Sequence, residues 1–160
     1  MNYKIDEIRK DDDLTICQII KKVGAEYGAV GQGFGPSDPE VLCMSQNYKK
    51  DLKSKYLVAR VNGKIVGGCG IASFNESSKI CELRKLFLLP ESRGFGIGQK
   101  LVLGCLDFSG SQGFKNCYLD TMKNMSSAIA LYEKFGFKHL DGPLEGTEHN
   151  GCDVWMLKTL

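Results

Sequence analysis

Chemistry in this sequence starts at Arg93-Gly94-Phe95-Gly96-Ile97-Gly98, a run between a strand-like stretch ending at Leu89 and a helical pattern carrying Leu101, Val102 and Cys105. Glycines at a strand-to-helix turn let the backbone approach a ligand closely, and exposed amides backed by a helix dipole attract an anion. A pyrophosphate suits such a turn. A Walker loop would need G-K-[ST], and a dinucleotide fold would need G-x-G-x-x-G near the first strand, so both fail on spacing or position. Taken alone, the run is equally compatible with a plain flexible turn, and the surrounding elements must decide.

Those elements alternate in type. Tyr3 to Arg9 alternates as a first strand, after which Asp13 can cap a helix with Leu14, Cys17, Ile20 and Tyr27 at helical spacing. Gly28, Gly31, Gly33 and Gly35 end that helix, and Asp38-Pro39-Glu40 opens a second, short one toward Tyr48. Tyr56 to Val61 and Lys64 to Ile71 flank Asn62-Gly63, a pair suited to positive φ, and predict a hairpin. A strand from Lys79 to Leu89 follows. The order then becomes helix (Gly98 to Gln112), strand (Asn116 to Thr121), helix (Asn124 to Phe135), strand (Phe137 to Leu140) and last strand (Cys152 to Leu157). The sum is a mixed α/β sheet.

The bulk composition sets the frame. A chain of 160 residues with 42% hydrophobic and 25% charged residues fits one soluble domain spanning residues 1–160. No apolar run is long enough to span a membrane, and Met1 to Glu7 has no apolar stretch of the secretory kind, so a cytoplasmic location is expected. A formal charge of +2 gives no electrostatic case for nucleic acid. The seven scattered cysteines form no C-x-x-C pair and are joined by only two histidines. Most of them are expected to be small buried hydrophobes in a reducing compartment, with neither disulfides nor a metal.

Leu83-Arg84-Lys85-Leu86-Phe87-Leu88-Leu89-Pro90-Glu91-Ser92-Arg93-Gly94-Phe95-Gly96-Ile97-Gly98 resembles the acetyl-CoA-binding region of the GNAT superfamily of N-acetyltransferases, with Arg93, Gly96 and Gly98 at the fixed positions of [QR]-x-x-G-x-[GA]. Ala128-Ile129-Ala130-Leu131-Tyr132-Glu133-Lys134-Phe135-Gly136-Phe137 resembles the second hallmark, a helix ending in a tyrosine and a G-F turn. The resemblance implies a mostly antiparallel sheet of about seven strands, splayed into a V and flanked by about four helices. It also implies acetyl-CoA as co-substrate, its pyrophosphate on the amides of residues 93 to 98 and its pantetheine arm bonded to the backbone of Leu86, Phe87 and Leu88. Ala128 and Tyr132 would line the same site. The family commonly places an asparagine seven residues before the tyrosine, where this chain has Met125; Asn124, one position earlier, either caps the helix or reaches the cofactor.

The implied reaction is direct acetyl transfer to a primary amine of a small molecule or peptide. An alkylamine with pKa near 10.4 costs roughly 4 to 5 kcal/mol to hold neutral at pH 7, so a general base helps. Glu82, eleven positions before Arg93, stands at an offset where these enzymes often place that base, acting through a water; otherwise it is a strand glutamate paired with Arg84 or Lys85. Tyr132 lies on a helical stripe with Ala128, Leu131 and Phe135, which suits a buried core tyrosine, and the family role is an acid that protonates the departing thiolate. The acceptor pocket is expected between the Tyr27 to Pro36 segment and the Gly146 to Gly151 loop, with His149 a solvent-exposed loop histidine or an acceptor contact. The family further suggests a homodimer. A non-catalytic domain that binds acyl-CoA is the competing reading.

Overall fold

In the computed structural model, which describes residues 1–160, apolar side chains alternate along the central strands and supply two cores, one on each face of a single sheet. The strands are β1 (Lys4–Glu7), β2 (Lys55–Val61), β3 (Lys64–Ser73), β4 (Ile80–Leu88), β5 (Asn116–Thr121), β6 (Lys138–His139) and β7 (Val154–Thr159), in the spatial order β1-β2-β3-β4-β5-β7-β6. The helices are α1 (Asp13–Glu26), α2 (Met44–Asn47), α3 (Ile97–Ser111) and α4 (Ser126–Lys134). On β2, Leu57 and Ala59 pack in the core that contains Leu101, Val102 and Cys105 of α3, while Tyr56 and Val58 pack in the other with Ile16, Ile20 and Val23 of α1. This is the mixed sheet expected, with every neighbouring pair antiparallel except β4 and β5.

The exception makes the V. Parallel pairing between β4 and β5 covers only Ile80 to Glu82 against Asn116 to Tyr118, and β4 then continues to Leu88 with no partner on that side. Its other edge stays on β3, where Gly68 faces Phe87 and Gly70 faces Arg84, so Cys69 stands opposite both Lys85 and Leu86. This is a β-bulge. Lys85 takes φ 54°, a left-handed conformation unusual for a lysine within a strand. Its carbonyl accepts a 2.8 Å hydrogen bond from the buried Tyr56 hydroxyl. The Tyr56 ring lies so close to β3 that a Cβ on Gly68 or Gly70 would sit 2.5 or 2.6 Å from its carbons.

Several local expectations shift. The first strand ends at Glu7 rather than Arg9, and α1 is turned relative to the predicted stripe: Ile16, Ile19, Ile20 and Val23 are buried, whereas Leu14 is 70% exposed. Asp13 makes no cap, because its carboxylate accepts hydrogen bonds from the Ser45 amide and hydroxyl at 2.8 and 2.6 Å, tying α1 to α2. Pro39–Cys43 is a tight 3-10 segment ahead of the short α2, and the Phe137 to Leu140 strand shrinks to two residues. Four cysteines (69, 81, 105 and 117) are buried among apolar neighbours, as expected. No helix is long and apolar enough to cross a membrane.

Candidate active site

The glycine turn caps α3. Gly94 and Gly96 have φ of 85° and 81°, and Gly96 is the residue from which the helix starts. Lys100 is the first residue bonded back into the helix, its amide donating to the Gly96 carbonyl at 3.1 Å, and the amides of residues 94 to 99 have no acceptor within the protein. A row of free N–H groups at the positive end of a 15-residue helix favours an anion by its own electrostatics.

These amides border a cleft of about 460 Å³, a size usual for small-molecule sites, in the open arm of the V. Of the residues expected at the cofactor, Leu86, Phe87 and Leu88 of β4, Arg93, Gly94, Gly96, Ile97 and Gly98 of the turn, and Ala128 of α4 all line it. Three expected contacts do not. Tyr132 lines the adjoining inner chamber instead. The Phe95 side chain is about half exposed and lies outside the cleft, leaving only its amide to contribute. Asn124 neither lines the cleft nor caps α4, which opens at Ser126; its amide group donates to the Tyr27 carbonyl at 2.8 Å and ties the start of α4 to the end of α1. Met125 takes the position in the cleft wall instead.

Arg93 is held away from the free amides. Its guanidinium forms two bonds to Glu26, at 2.7 and 3.0 Å, two more to the Leu88 carbonyl, at 3.1 and 2.9 Å, and lies over the Tyr27 ring. The Leu88 carbonyl, expected to receive an extended arm, is therefore already engaged by the turn's own arginine.

Leu86, Phe87 and Met125 also line an inner chamber that contains Glu82, Tyr132 and His149. Tyr132 is buried, its ring edge-on to Phe137 at 5.9 Å, and burial raises its phenol far above the ordinary value. It stays protonated at neutral pH, so its hydroxyl has a proton to donate. Glu82 is also buried; its Oε1 accepts a 2.6 Å bond from Arg84, and Oε2 accepts no hydrogen bond. Burial raises its carboxyl above the usual range, Arg84 opposes the rise and Asp120 adds to it. Glu82 is thus paired with Arg84, as one reading of the sequence has it, and it lines the chamber with its other oxygen free of hydrogen bonds. Cys152 also lines this chamber, where burial and Asp120 push its thiol to about 12, so it is no nucleophile at neutral pH.

His149 is not the solvent-exposed loop histidine expected. Its side chain is 13% exposed, Nδ1 is 2.8 Å from Asp120 Oδ1, and Nε2 is 2.8 Å from Asp38 Oδ2. Burial works against its charge, but the two carboxylates outweigh burial and raise its pKa to about 10. The Lys85 ammonium shares Asp38 Oδ2 at 2.8 Å and reaches Glu40 at 3.6 Å. Glu82, Asp120 and His149 bring ligand-type atoms within 4.8 Å of one another, with both imidazole nitrogens already facing carboxylates. Sequence reasoning missed Asp38, Asp120 and Lys85. Nothing in the local sequence marks them, since they meet only when β4, β5 and two loops converge.

Beyond Glu82, Arg84 and His149 an outer cleft of about 450 Å³ opens to solvent. Its wall includes Gly146 to His149 of the predicted loop, with Asp38, Glu40, Glu76 and Glu148 as further acidic groups. The Gly33 carbonyl accepts from the Gly151 amide at 2.9 Å, so the two predicted acceptor segments are joined, and Phe34 to Pro36 face the inner chamber. The three spaces share walls in sequence: anion cleft, chamber, acidic outer cleft.

A turn of free amides leading into a chamber with a buried acid and tyrosine defines an acyl-transfer architecture, and comparison with known proteins agrees. The sequence model of the Acetyltransferase (GNAT) family matches residues 26–137. The chain is 41% identical over 151 residues to a protein of Escherichia coli K12 named "Uncharacterized N-acetyltransferase YjgM", covering 93% of this chain and 90% of that one. Among solved structures, an acetyltransferase of the GNAT family from Staphylococcus aureus Mu50 superposes with a TM-score of 0.84 at 19% identity, over 99% of each chain. The PaiA N-acetyltransferase of Thermoplasma acidophilum, in complex with coenzyme A, superposes at 0.77 and 22% identity over the whole of both chains. This chain belongs to the GNAT family of acetyltransferases and is an acyltransferase.

Proposed function

We propose that the chain, acting as one domain, transfers an acetyl group from acetyl-CoA directly to a primary amine of a small molecule or peptide. The observation that carries this reading is the row of acceptor-free amides at residues 94 to 99, which suits a pyrophosphate and leads along β4 to Glu82 and Tyr132. The complex of PaiA with coenzyme A supports the same choice of co-substrate. The amine enters from the acidic outer cleft, whose carboxylates attract an ammonium. Glu82 Oε2 takes its proton through a water, the amine nitrogen attacks the thioester carbonyl, and a backbone N–H of the bulge at Lys85 and Leu86 stabilises the oxyanion. Tyr132 then delivers a proton to the departing thiolate, and the proton that the former amine nitrogen loses as the amide forms restores the phenol. No covalent enzyme intermediate is needed. The buried cysteines suit a reducing compartment, the cytoplasm.

The test is thiol release from acetyl-CoA with a panel of primary amines. Turnover with at least one amine is expected, and tight coenzyme binding without turnover on any amine overturns the transferase reading in favour of a sensor. In Tyr132→Phe, kcat should fall about 10²–10⁴-fold while acetyl-CoA affinity holds within about twofold. An unchanged kcat, with chemistry rate-limiting, removes Tyr132 from the acid role.

A further inference from the structure

We propose that His149 is a positioning residue of this transfer: a fixed cation that locks both acceptor-side loops onto the sheet and holds Glu82 in its working, ionised form. The inference rests on Glu82 being the base.

Three separate parts of the chain meet on one imidazole. His149 belongs to the 146–151 loop, Asp38 to the segment before α2, and Asp120 to β5. The chain of contacts continues through Asp38 Oδ2 to Lys85 at the β4 bulge, 2.8 Å away. Asp120 Oδ2 also accepts the Thr147 hydroxyl, which clasps the same loop at a second point. Gly35 packs beside both cations: a Cβ placed there would lie 4.0 Å from His149 Nε2 and 4.0 Å from Lys85 Cε. Together with the Arg84–Glu40 contact and the backbone bond from Gly151 to Gly33, this network ties the acceptor-side segments to β4 and β5.

Its chemistry excludes a role for His149 as the base. Both ring nitrogens are engaged by carboxylates, so neither is free to accept a proton from an amine. What it presents to Glu82 is charge, from Nδ1 at 3.9 Å to Oε2. The charged groups around Glu82 are Arg84 on β4, Asp120 on β5 and His149 on the loop, with Glu40 reached through Arg84 at 3.4 Å. Around His149 they are Asp38, Asp120 and Glu82, with Lys85 behind Asp38 and the Cys152 thiol on its own loop. Removing the imidazolium takes away one cation and leaves Asp120 uncompensated, while Asp38 keeps Lys85. Both changes make it harder for Glu82 to stay ionised.

The experiment is steady-state kinetics across pH on His149→Gln, His149→Lys and Glu82→Gln, with acetyl-CoA affinity measured by calorimetry as the check on folding. In His149→Gln the acceptor KM is expected to rise about tenfold, acetyl-CoA affinity to hold within about twofold, and the acidic limb of kcat/KM to move up by about one pH unit. His149→Lys restores the cation without the double clamp, so the limb returns toward wild type while the acceptor KM stays high. A purely structural histidine would move KM and not the limb. If His149→Gln does not fold, Asp38→Asn carries the test by releasing one side of the clamp, with a several-fold rise in acceptor KM expected. Wild-type KM and limb in His149→Gln, beside a Glu82→Gln variant that has lost turnover, overturn the His149 assignment alone. Full turnover in Glu82→Gln overturns the base reading itself.

Discussion

The Tyr56 hydroxyl donates to the Lys85 carbonyl at 2.8 Å, across the width of β3, and so satisfies the peptide group that the β4 bulge removes from the ladder. One buried side chain thus holds the irregularity that turns a strand edge into a site. The glycines Gly68 and Gly70 leave the ring its path, and the left-handed Lys85 directs its ammonium to Asp38 and Glu40.

Tyr56→Phe keeps the ring and removes only that bond. A buried carbonyl left without its donor costs about 1–3 kcal/mol, so denaturant unfolding should show a loss of that size. With the bulge less well held, kcat should fall several-fold while acetyl-CoA affinity changes little. A variant as stable and as active as the parent would show that packing alone holds the bulge.

Gly96→Ala tests the anion turn. At φ 81° an alanine costs roughly 1–2 kcal/mol, although the nearest atom to its Cβ is 4.0 Å away, so the penalty lies in backbone conformation and not in crowding. Melting should fall by a few degrees. Coenzyme Kd should rise about tenfold or more as the amides turn from their common direction, and calorimetry reading an unaltered Kd would contradict the assignment of the turn.

How much of this was legible in the sequence depends on the range of the interaction. Gly94, Gly96 and Gly98 announce the turn because local φ requirements and a helix N-terminus are adjacent-residue properties. The hairpin at Asn62-Gly63 was read correctly for the same reason, and both residues sit at positive φ. The stripe of α1 was misread because Leu14 and Ile16 are equally apolar, and only the position of the sheet decides which is buried. Asp38 and Asp120 were beyond reach as the partners of His149. They lie 111 and 29 residues from it in the chain, and no periodicity connects them.

Glu26 holds two guanidinium nitrogens of Arg93 beside the cleft, and its carboxyl is lowered by that hydrogen bond. A carboxylate there opposes an incoming phosphate through space and occupies the one cation of the turn. Glu26→Gln should therefore tighten coenzyme binding about two- to fivefold at low salt, with the gain fading near 0.5 M salt as screening takes over. Weaker binding in this variant would mean that the pair's orienting effect on Leu88 and Tyr27 outweighs its charge.

His149 contributes to the pH dependence of stability. Its ordinary value near 6.5 applies to the unfolded chain, and in the fold Asp120 and Asp38 overcome burial and raise it to about 10. A group whose pKa rises on folding contributes stability that is complete below the unfolded value and is lost as pH climbs through the folded one. Asp38, held below its ordinary value despite burial by His149 and Lys85, stays ionised throughout that window and adds no slope of its own. The melting temperature of the parent should therefore fall steadily between about pH 6.5 and pH 10. In His149→Gln the same interval should be flatter, from a lower starting point. Parallel curves for the two proteins would mean that the imidazole is not charged where Asp38 and Asp120 enclose it.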